Sequence, residues 1–288
     1  KASPSIANAS FIDTVYIKID NEVINKIVTN CNSYNPDLTL DVVSYNIEWF
    51  GGINGPVNDS LQVANATKLL QKINGDLYAL TEIVDTLALK KLAESIGDKK
   101  DDFGYYVSKY ASNVSIADDA NYPNAQKLAF VYRKSAIKPL KIEPLFFTSD
   151  RASASYFHWT SGRFPLMMTS EVTINGVSKE VNFILIHGKA QNSADAYERR
   201  KNAAQSLHKY IITELKDKEV VILGDFNDDL DATIAPANLT GPDWPLSSYD
   251  IFVRDTETFV PSTLTLSRAK ENYTVRYADV IDHIIFSK

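Results

Sequence analysis

Residues 220–229 constrain the fold more than any other stretch of the chain. Four apolar residues, three of them β-branched, predict a buried strand, and Gly224 then allows a tight turn. Asp225 and Asn227 follow two positions apart, so their side chains point the same way at the carboxyl end of the strand, where open α/β sheets bind ligands. We therefore predict that a carboxylate and an amide converge there, although an ordinary Asp/Asn turn explains this stretch equally well by itself.

Apolar periodicity along the rest of the chain predicts alternating helices and strands. Helices are predicted over 59–73, 86–96 and 194–215, and strands over 40–46, 76–83, 128–133, 166–174, 181–187 and 275–286. Residues 109–126 predict a long surface loop, and Asn175-Gly176 is a strong hairpin signal. Because several strands come in hairpins, we predict an α/β fold of two packed mixed sheets with helices outside.

Composition and charge exclude several classes of protein. The 288 residues are 44% hydrophobic, as in a globular protein with a sizeable core, and no stretch approaches the ~18 apolar residues of a membrane span. The net charge of −6 argues against coating nucleic acid by bulk attraction, but not against a metal-dependent enzyme that acts on phosphates. Cys31 is the single cysteine, so an intrachain disulfide is excluded and the partners that a zinc site needs are missing.

The chain divides into a predicted N-terminal extension or linker, residues 1–38, and a main domain, residues 39–288. It begins at Lys1 without a methionine or an apolar signal segment, so we interpret it as a processed or recombinant piece whose localisation signal has been removed. We expect the protein to be secreted or held in the cell envelope.

One or two polar side chains stand at each of five further predicted strand ends, and Arg163 precedes its strand rather than following it. These side chains are Asn46 with Glu48, Glu82, Arg163, His187, and Asp282 with His283. A histidine can donate to a developing oxyanion, an arginine can fork onto a phosphate, and an aspartate inside an apolar strand needs a histidine or a cation as partner. Each signal alone is typical of a solvated strand end. Together they supply the groups that metal-assisted phosphoryl chemistry needs.

Six short motifs, taken in order, resemble the endonuclease/exonuclease/phosphatase superfamily. They are Asn46-Ile47-Glu48, Leu80-Thr81-Glu82, Ser161-Gly162-Arg163-Phe164-Pro165, Ile186-His187, Gly224-Asp225-Phe226-Asn227 and Ile281-Asp282-His283. The resemblance spans roughly residues 40–288 and is nearest to exported bacterial nuclease-like domains, which resemble deoxyribonuclease I. It implies a four-layered α/β sandwich of two mixed sheets flanked by helices, and hydrolysis of phosphoester bonds with Mg²⁺, or with Mn²⁺ or Ca²⁺.

The resemblance also implies a role for each matching residue at the metal. Glu82 would be the principal metal ligand, with Glu48 and Asn46 beside it. Asp225 would orient or deprotonate the attacking water, and Asn227 would hold the scissile phosphate. Oxygen ligands of this kind favour Mg²⁺ or Ca²⁺ over zinc.

Basic residues would contact the substrate. His187 would contribute a hydrogen bond or a proton near the leaving oxygen, and Arg163 would bind phosphate. Lys189 and the run Arg199-Arg200-Lys201 are candidate contacts to a nucleic-acid backbone, although such a run is typical of a solvated helix face.

The sequence departs from the family pattern at two places. Thr81 stands where the family has glutamine, and the terminal Ser-Asp-His-x-Pro motif is represented only by Asp282-His283. In one interpretation these two residues are the terminal catalytic pair. In the other, which fits the motif better, Asp282 orients a histidine beyond Lys288 and the domain lacks its last strand here.

The leading functional hypothesis is an endonuclease with low sequence specificity and nucleic acid as its substrate. A phospholipase C, sphingomyelinase or inositol-phosphate phosphoesterase would need an exposed apolar loop, for which residues 146–147 or 156–159 are candidates, although core packing explains both. A catalytically silent binding domain is the third hypothesis. The sequence leaves the oligomeric state open, with a monomer as the expectation.

Overall fold

Two mixed β-sheets pack face to face, and helices cover the outer face of each. The computed structural model describes residues 38–114, 120–236, 245–269, 273–274 and 278–288. The predicted N-terminal extension, apart from residue 38, lies outside the described residues, as do residues 275–277 of the last predicted strand. The predicted pair of packed mixed sheets is confirmed.

The three long helices lie where the sequence predicts them, whereas three short helices and three of the strands were not predicted. The strands are β1 (Val42–Phe50), β2 (Leu77–Ile83), β3 (Phe103–Ala111), β4 (Lys127–Arg133), β5 (Ile137–Pro144), β6 (Leu166–Ile174), β7 (Val177–His187), β8 (Glu219–Asp225), β9 (Phe259–Pro261) and β10 (Asp282–Ser287). The α-helices are α1 (Asp59–Ile73), α2 (Thr86–Ile96), α3 (Ala154–His158), α4 (Ala194–Glu214), α5 (Asp250–Arg254) and α6 (Leu264–Arg268).

The first sheet has the strand order β1-β2-β4-β3, with β1 parallel to β2 and β4 antiparallel to its neighbours. Helices α1 and α2 pack on its outer face through their apolar stripes. The side chains of Asn58 and Asp85 cap the two helices by accepting hydrogen bonds from backbone N–H groups of the first turn. Both helices therefore begin close to where the apolar periodicity predicts.

The second sheet has the order β5-β6-β7-β8-β10-β9. Asn175 and Gly176 both adopt positive φ, 49° and 73°, as a two-residue turn between β6 and β7 requires. Strands β7 and β8 are parallel and joined through α4, which packs on the outer face of this sheet. This crossover brings the carboxyl ends of β7 and β8 to the same edge.

Apolar side chains from both sheets fill the layer between them. Leu77 and Phe130 of the first sheet and Phe183 and Leu223 of the second are fully buried in one cluster. This shared core fixes the two sheets against each other, so the strand ends of one sheet keep a constant position relative to those of the other. Among the described helices, none combines the length and the apolar character that crossing a bilayer requires.

The sequence missed strands β3, β5 and the short β9, and it misplaced the start of the last strand. Strand β3 begins well before the predicted loop at 109–126 and has no regular burial period, and β5 contains prolines at positions 139 and 144. Neither gives the alternating signal from which strands are predicted. The last strand begins at Asp282 rather than at residue 275, because pairing with β8 starts only there.

Leu89 and Leu87, both on α2, provide a test of the core between this helix and the first sheet. Leu89 of α2 is fully buried against the first sheet, whereas Leu87 is 67% exposed. We expect Leu89→Ala to lower the free energy of unfolding by about 2–5 kcal/mol, because it leaves a cavity. The matched change Leu87→Ala should alter it by less than about 0.5 kcal/mol. Urea denaturation measures both values, and equal losses would contradict the packing described here.

Candidate active site

A cavity of about 750 Å³ opens where strand ends of the two sheets meet. The carboxyl ends of β1 and β2 come from the first sheet, and those of β7 and β8, with the start of β10, come from the second. Its lining includes most of the predicted site residues, namely Asn46, Glu48, Glu82, Arg163, His187, Lys189, Asp225, Asn227 and Asp282. The strand-end pattern in the sequence therefore does converge on one place.

Strand register sets three of these side chains side by side. His187 of β7 is the partner of Asp225 in β8, and Asp225 is the partner of Asp282 in β10. Residues paired across neighbouring strands project from the same face of a sheet. The imidazole and the two carboxyl groups therefore form a row along the edge of the second sheet, all of them at most 7% exposed.

Asn46 connects this row to the first sheet. Its amide nitrogen donates to Glu82 Oε1 at 3.0 Å and to Asp225 Oδ2 at 2.9 Å. The backbone N–H of Trp49 donates to Glu82 Oε2 at 3.1 Å, and that of Asn227 donates to Asp225 Oδ1 at 2.8 Å. Each carboxylate is thus held through both of its oxygens, so its orientation is fixed.

Unusual backbone conformations collect at the site. Glu48, Trp49, Glu82 and Asn227 all have φ between 44° and 64°, although none of them is glycine. Gly224, with φ of 137°, precedes Asp225, and a Cβ there would lie 1.9 Å from the carbonyl oxygen of Ile186. Such strain persists only where the surrounding structure enforces it, and it is typical of functional sites.

His187 is a neutral imidazole in this setting. Burial, and then the positive charge of Arg163, hold the pKa of His187 well below its usual value. Its Nε2 lies 3.5 Å from Asp225 Oδ2 and 4.0 Å from Glu82 Oε1. Its Nδ1 is buried and has no hydrogen-bond partner among the described residues. A neutral imidazole can donate one hydrogen bond to an anion or offer a nitrogen to a metal.

The buried carboxyl groups carry unfavourable negative charge. Burial and the charge of nearby Glu82, opposed by hydrogen bonds from Asn46 and Asn227 and by the charge of Arg163, raise the pKa of Asp225 to about 6. Burial and the charge of Asp225 raise the pKa of Asp282 well above its usual value. A bound cation would relieve both effects.

The donor set fits a hard divalent cation. Ligand atoms from Glu82, His187 and Asp225 all lie within 4.8 Å of one another. The two carboxylates supply the oxygen donors that Mg²⁺ and Ca²⁺ prefer, and the amide nitrogen of Asn46 holds them in place. Glu82 and Asp225 would hold the ion, with Asn46 and His187 next to it. Glu48, predicted as a ligand, is exposed on the cavity rim and outside this compact group. Its metal contact stays a prediction.

Asn227 and Lys189 lie beside the carboxylates. The amide nitrogen of Asn227 donates to the carbonyl oxygen of Gly188 at 3.3 Å, which aims the side chain along the cavity wall. Lys189 Nζ donates to Gln191 Oε1 at 3.3 Å and is otherwise at the cavity surface. Partial burial, with the nearby Arg199, lowers the pKa of Lys189 from its usual value. Both residues line the cavity, and their contacts with a phosphate stay predictions.

Arg163 has protein partners for all of its guanidinium nitrogens. It is 2% exposed and donates to the carbonyl oxygens of His187 and Gly188 and to the side chains of Ser112 and Gln126. A phosphate would have to replace one of these acceptors. The predicted phosphate contact is therefore not the arrangement that the structure shows.

The basic run on α4 is not a solvated face, nor a nucleic-acid surface. Arg200 is fully buried, and Arg199 is 6% exposed, donates to the carbonyl oxygen of Phe157 and stacks its guanidinium 3.9 Å from that ring. Lys201 faces Tyr197. The prediction that Arg199 and Arg200 contact a nucleic-acid backbone is corrected, because inward side chains cannot reach one.

His283 is also corrected. Next to Asp282 in β10, it points to the opposite side of the sheet, is fully buried and contacts Thr263 Oγ1 at 2.9 Å and the carbonyl oxygen of Asp228 at 3.1 Å. It packs edge-on against Phe226. His283 is therefore a core histidine in this structure and is not placed for catalysis, whereas Asp282 does face the cavity.

The aromatic segments considered as lipid contacts are mostly core. Phe146 stacks on Trp159 with ring centroids 5.6 Å apart, and Tyr156 and Trp159 are buried. Phe147 and Phe157 remain 44% exposed, but Phe157 lies against Arg199. Core packing, the alternative interpretation of these segments, is what the structure shows for most of them.

Sequence reasoning missed one wall of the cavity. Ser112, Asn113, Asn124, Gln126 and Thr160 line it, together with Trp49. Four of these residues lie at or near the ends of segment 109–126, for which the sequence predicts only a long surface loop. Trp49, directly after Glu48, gave no separate signal.

Comparison with known proteins supports the fold and the strand-end motifs. A sequence model described as "Endonuclease/Exonuclease/phosphatase family" matches residues 43–288. No curated protein sequence matches the chain significantly.

Solved structures share the fold at low sequence identity. The catalytic domain of human Nocturnin with a bound sulfate anion has a TM-score of 0.54 and 16% identity, over 86% of this chain and 83% of that one. A mannosyl-6-phosphatase from Bacteroides thetaiotaomicron has 0.54 and 17%, over 86% and 85%. An endonuclease/exonuclease/phosphatase from Bacteroides vulgatus has 0.55 and 12%, over 86% and 87%. These likenesses show the deoxyribonuclease I-like sandwich.

Removal of one carboxylate provides a test of the metal site. We expect Mg²⁺ at about 100 times its dissociation constant to raise the free energy of unfolding by about 2.7 kcal/mol, because it binds only the folded chain. Glu82→Gln should abolish this shift, and EDTA should reverse it in the wild type. Glu171→Gln, an exposed change in β6, is the matched control and should keep the shift. Thermal unfolding measures all three, and a full shift in Glu82→Gln would remove Glu82 from the ligand set.

Proposed function

The chain belongs to the Endonuclease/Exonuclease/phosphatase family, whose sequence model spans nearly all of its described residues, and we propose that it is a divalent-metal-dependent phosphodiesterase acting on nucleic acid. Members of the family are generally hydrolases of phosphoester bonds. The proposal for this chain is a nuclease that cleaves the backbone with little sequence preference.

One observation carries the proposal. Glu82, His187 and Asp225 converge within 4.8 Å, and Asn46 ties the two carboxylates together across the sheets. Phosphoryl transfer demands positioning and neutralisation of charge more than covalent chemistry, and this cluster is suited to both tasks. A divalent cation held at Glu82 and Asp225 would polarise the phosphoryl group and offset its charge.

Asp225 is the candidate to orient and deprotonate the attacking water. Its Oδ1 accepts from the backbone of Asn227 and its Oδ2 accepts from Asn46, so the carboxylate is held in one orientation. Each carboxylate oxygen has a second lone pair that a water molecule can use. A general base must lie within hydrogen-bond reach of that water, and the open cavity beside Asp225 leaves room for it.

Asn227 and His187 are candidates to stabilise the phosphoryl oxygens as charge develops on them. Among the described residues, the amide nitrogen of Asn227 donates to the carbonyl oxygen of Gly188, and it has a second N–H that can donate as well. His187 is held neutral and donates without adding a charge. Donors fixed in a desolvated site stabilise developing charge without reorganising, which is why such groups accelerate acyl and phosphoryl transfer.

The charge distribution of the cavity favours few contacts with the phosphates of a nucleic-acid strand. Lys189 is the half-buried cation of the cavity wall, and Arg163 is engaged with protein acceptors. A nuclease built this way would grip the scissile phosphate through its bound cation rather than through a basic groove. Affinity for nucleic acid would then fall only gently with salt concentration, because few counterions are released.

A second candidate function is that of a phosphomonoesterase for phosphorylated sugars, and the neutral polar wall of the cavity favours it. Ser112, Asn113, Asn124 and Gln126 offer neutral amide and hydroxyl groups next to the carboxylate cluster. Such groups suit a ligand rich in hydroxyls better than a polyanion. The mannosyl-6-phosphatase with the same fold shows that the architecture accommodates this activity.

Plasmid nicking tests the nuclease. We expect the protein with Mg²⁺ to relax supercoiled plasmid, and EDTA to stop it. Asp225→Asn should lower the rate by about 10²–10⁴, the range of a general base. Asp98→Asn, an exposed change outside the cavity, is the control and should retain the wild-type rate.

Phosphate release from mannose 6-phosphate, measured in parallel, separates the two candidates. Metal-dependent nicking without phosphate release supports the nuclease. Phosphate release that Asp225→Asn abolishes, without nicking, replaces the nuclease by the second candidate. The absence of both activities, with the Mg²⁺ shift also absent, would support a catalytically silent domain.

A further inference from the structure

The loop from His187 to Gln191 carries two of the candidate substrate contacts but has little support from its own backbone. It joins β7 to the turn before α4 and holds His187 and Lys189 at the cavity. Gly188 N–H donates to the carbonyl oxygen of Asp225 at 2.8 Å, and Gln191 has a φ of 87°. A loop in this conformation needs partners for its carbonyl groups, since an unpaired buried carbonyl is costly.

Arg163 holds the first half of this loop. Its Nε and Nη2 donate to the carbonyl oxygen of His187 at 3.3 and 3.2 Å, and Nη2 also donates to that of Gly188 at 3.1 Å. Its Nη1 donates to Ser112 and Gln126, which also line the cavity. One guanidinium therefore connects the loop with another part of the cavity wall.

Arg200 holds the second half. From α4, its Nη1 donates to the carbonyl oxygens of Lys189 at 2.8 Å and Gln191 at 2.7 Å, and its Nε donates to Ser248 Oγ at 3.2 Å. The side chain is fully buried, and its Nη2 lies 3.7 Å from Asp228 Oδ2. The charge of Arg200 is thus balanced by a buried carboxylate.

Asp228 links this arrangement to the catalytic turn. It follows Asn227 directly, is fully buried, and accepts hydrogen bonds from the backbone of Ile234 and Ser248 and from Thr233 Oγ1. These donors fix the position of the Asp228 carboxylate independently of its contact with Arg200 in this structure. Asp228 therefore holds the guanidinium of Arg200 in position, and Arg200 in turn holds the loop through the carbonyl oxygens of Lys189 and Gln191.

We propose that Arg200 is a positioning residue which, together with Arg163, clamps the His187–Gln191 loop so that Lys189 and His187 face the cavity before substrate arrives. The inference rests on the proposed function for its activity readouts. Four loop carbonyls, those of residues 187, 188, 189 and 191, are held by two buried guanidinium groups. Burying two charged arginine side chains costs free energy of folding. The need of a catalytic site for fixed geometry explains why this cost is borne here.

A purely structural role makes different predictions. If Arg200 served only stability, its loss would lower the free energy of unfolding but leave the turnover of the folded enzyme intact. If it positions the loop, its loss should free the loop locally and lower kcat in a chain that is still folded. Misplacement of a substrate contact by about 1 Å can cost about 10²-fold in rate.

Arg200→Met tests the clamp, because methionine keeps the apolar stem and removes every donor. We expect kcat for the active substrate to fall by about 10²-fold with KM changed by less than about threefold, as for groups that act in the transition state. Backbone hydrogen exchange over residues 188–192 should quicken, and the Mg²⁺ stabilisation should persist. Millimolar methylguanidine should restore part of the rate in Arg200→Ala, whose cavity admits it.

Arg133→Met is the matched control. Arg133 also donates to backbone carbonyl oxygens, those of Asn74 and Gly75, but at the opposite end of β2 from Glu82. We expect it to lose stability without losing turnover or loop protection. A folded Arg200→Met with wild-type kcat and unchanged exchange at 188–192 would overturn the proposal, as would a rate loss accompanied by loss of the Mg²⁺ shift.

The exchange measurement separates this proposal from the proposed function. If the wild type cleaves neither plasmid nor mannose 6-phosphate, the activity of the family is in question for this chain, but exchange at 188–192 still reports the clamp. Faster exchange confined to the loop in Arg200→Met would support the clamp in that case. Exchange that is unchanged, or faster over the whole domain, would overturn it.

Discussion

The amide of Asn46, which donates to Glu82 in the first sheet and to Asp225 in the second, is the contact on which the site depends. It brings two carboxylates together in a largely buried place, where their repulsion is stronger than it would be in bulk water. The packed layer between the sheets keeps them there, since Leu77 and Leu223 are fully buried in one core. The stability of the fold is thus used to hold like charges together, which is the condition for attracting a cation.

Backbone strain contributes to the same end. Glu82 and Asn227 adopt positive φ, and Gly224 passes so close to Ile186 that no side chain would fit. These conformations turn side chains at strand ends towards the cavity, where regular strand geometry would send them elsewhere. The cost of order 1–3 kcal/mol for each strained residue is tolerable only because the flanking strands are well packed.

The strand-end pattern allowed most of the cavity lining to be predicted, because apolar runs and the residues that follow them are local in sequence. What it could not show is which partner each side chain meets. In the sequence, Arg163 and Arg200 cannot be told from solvated arginines. Only the fold shows that Arg163 donates to loop carbonyl groups 24 and 25 positions away, and Arg200 to loop carbonyl groups 11 and 9 positions away. His283 was misassigned for the same reason, since alternation along β10 turns it into the core. Strands β3 and β5 lacked a period to detect.

The two arginines also explain why positive charge is scarce at the cavity surface. Arg163 lies behind His187, and its charge helps hold the imidazole neutral next to Asp225. His187 therefore does not form an ion pair that would cancel the carboxylate charge, and Arg200 is balanced by Asp228 instead. Glu82 and Asp225 can therefore bind an incoming cation, which would offset both their own charge and that of a bound phosphate. Arg163 offsets part of the charge of Glu82 and Asp225, and the same guanidinium holds the carbonyl oxygens of His187 and Gly188.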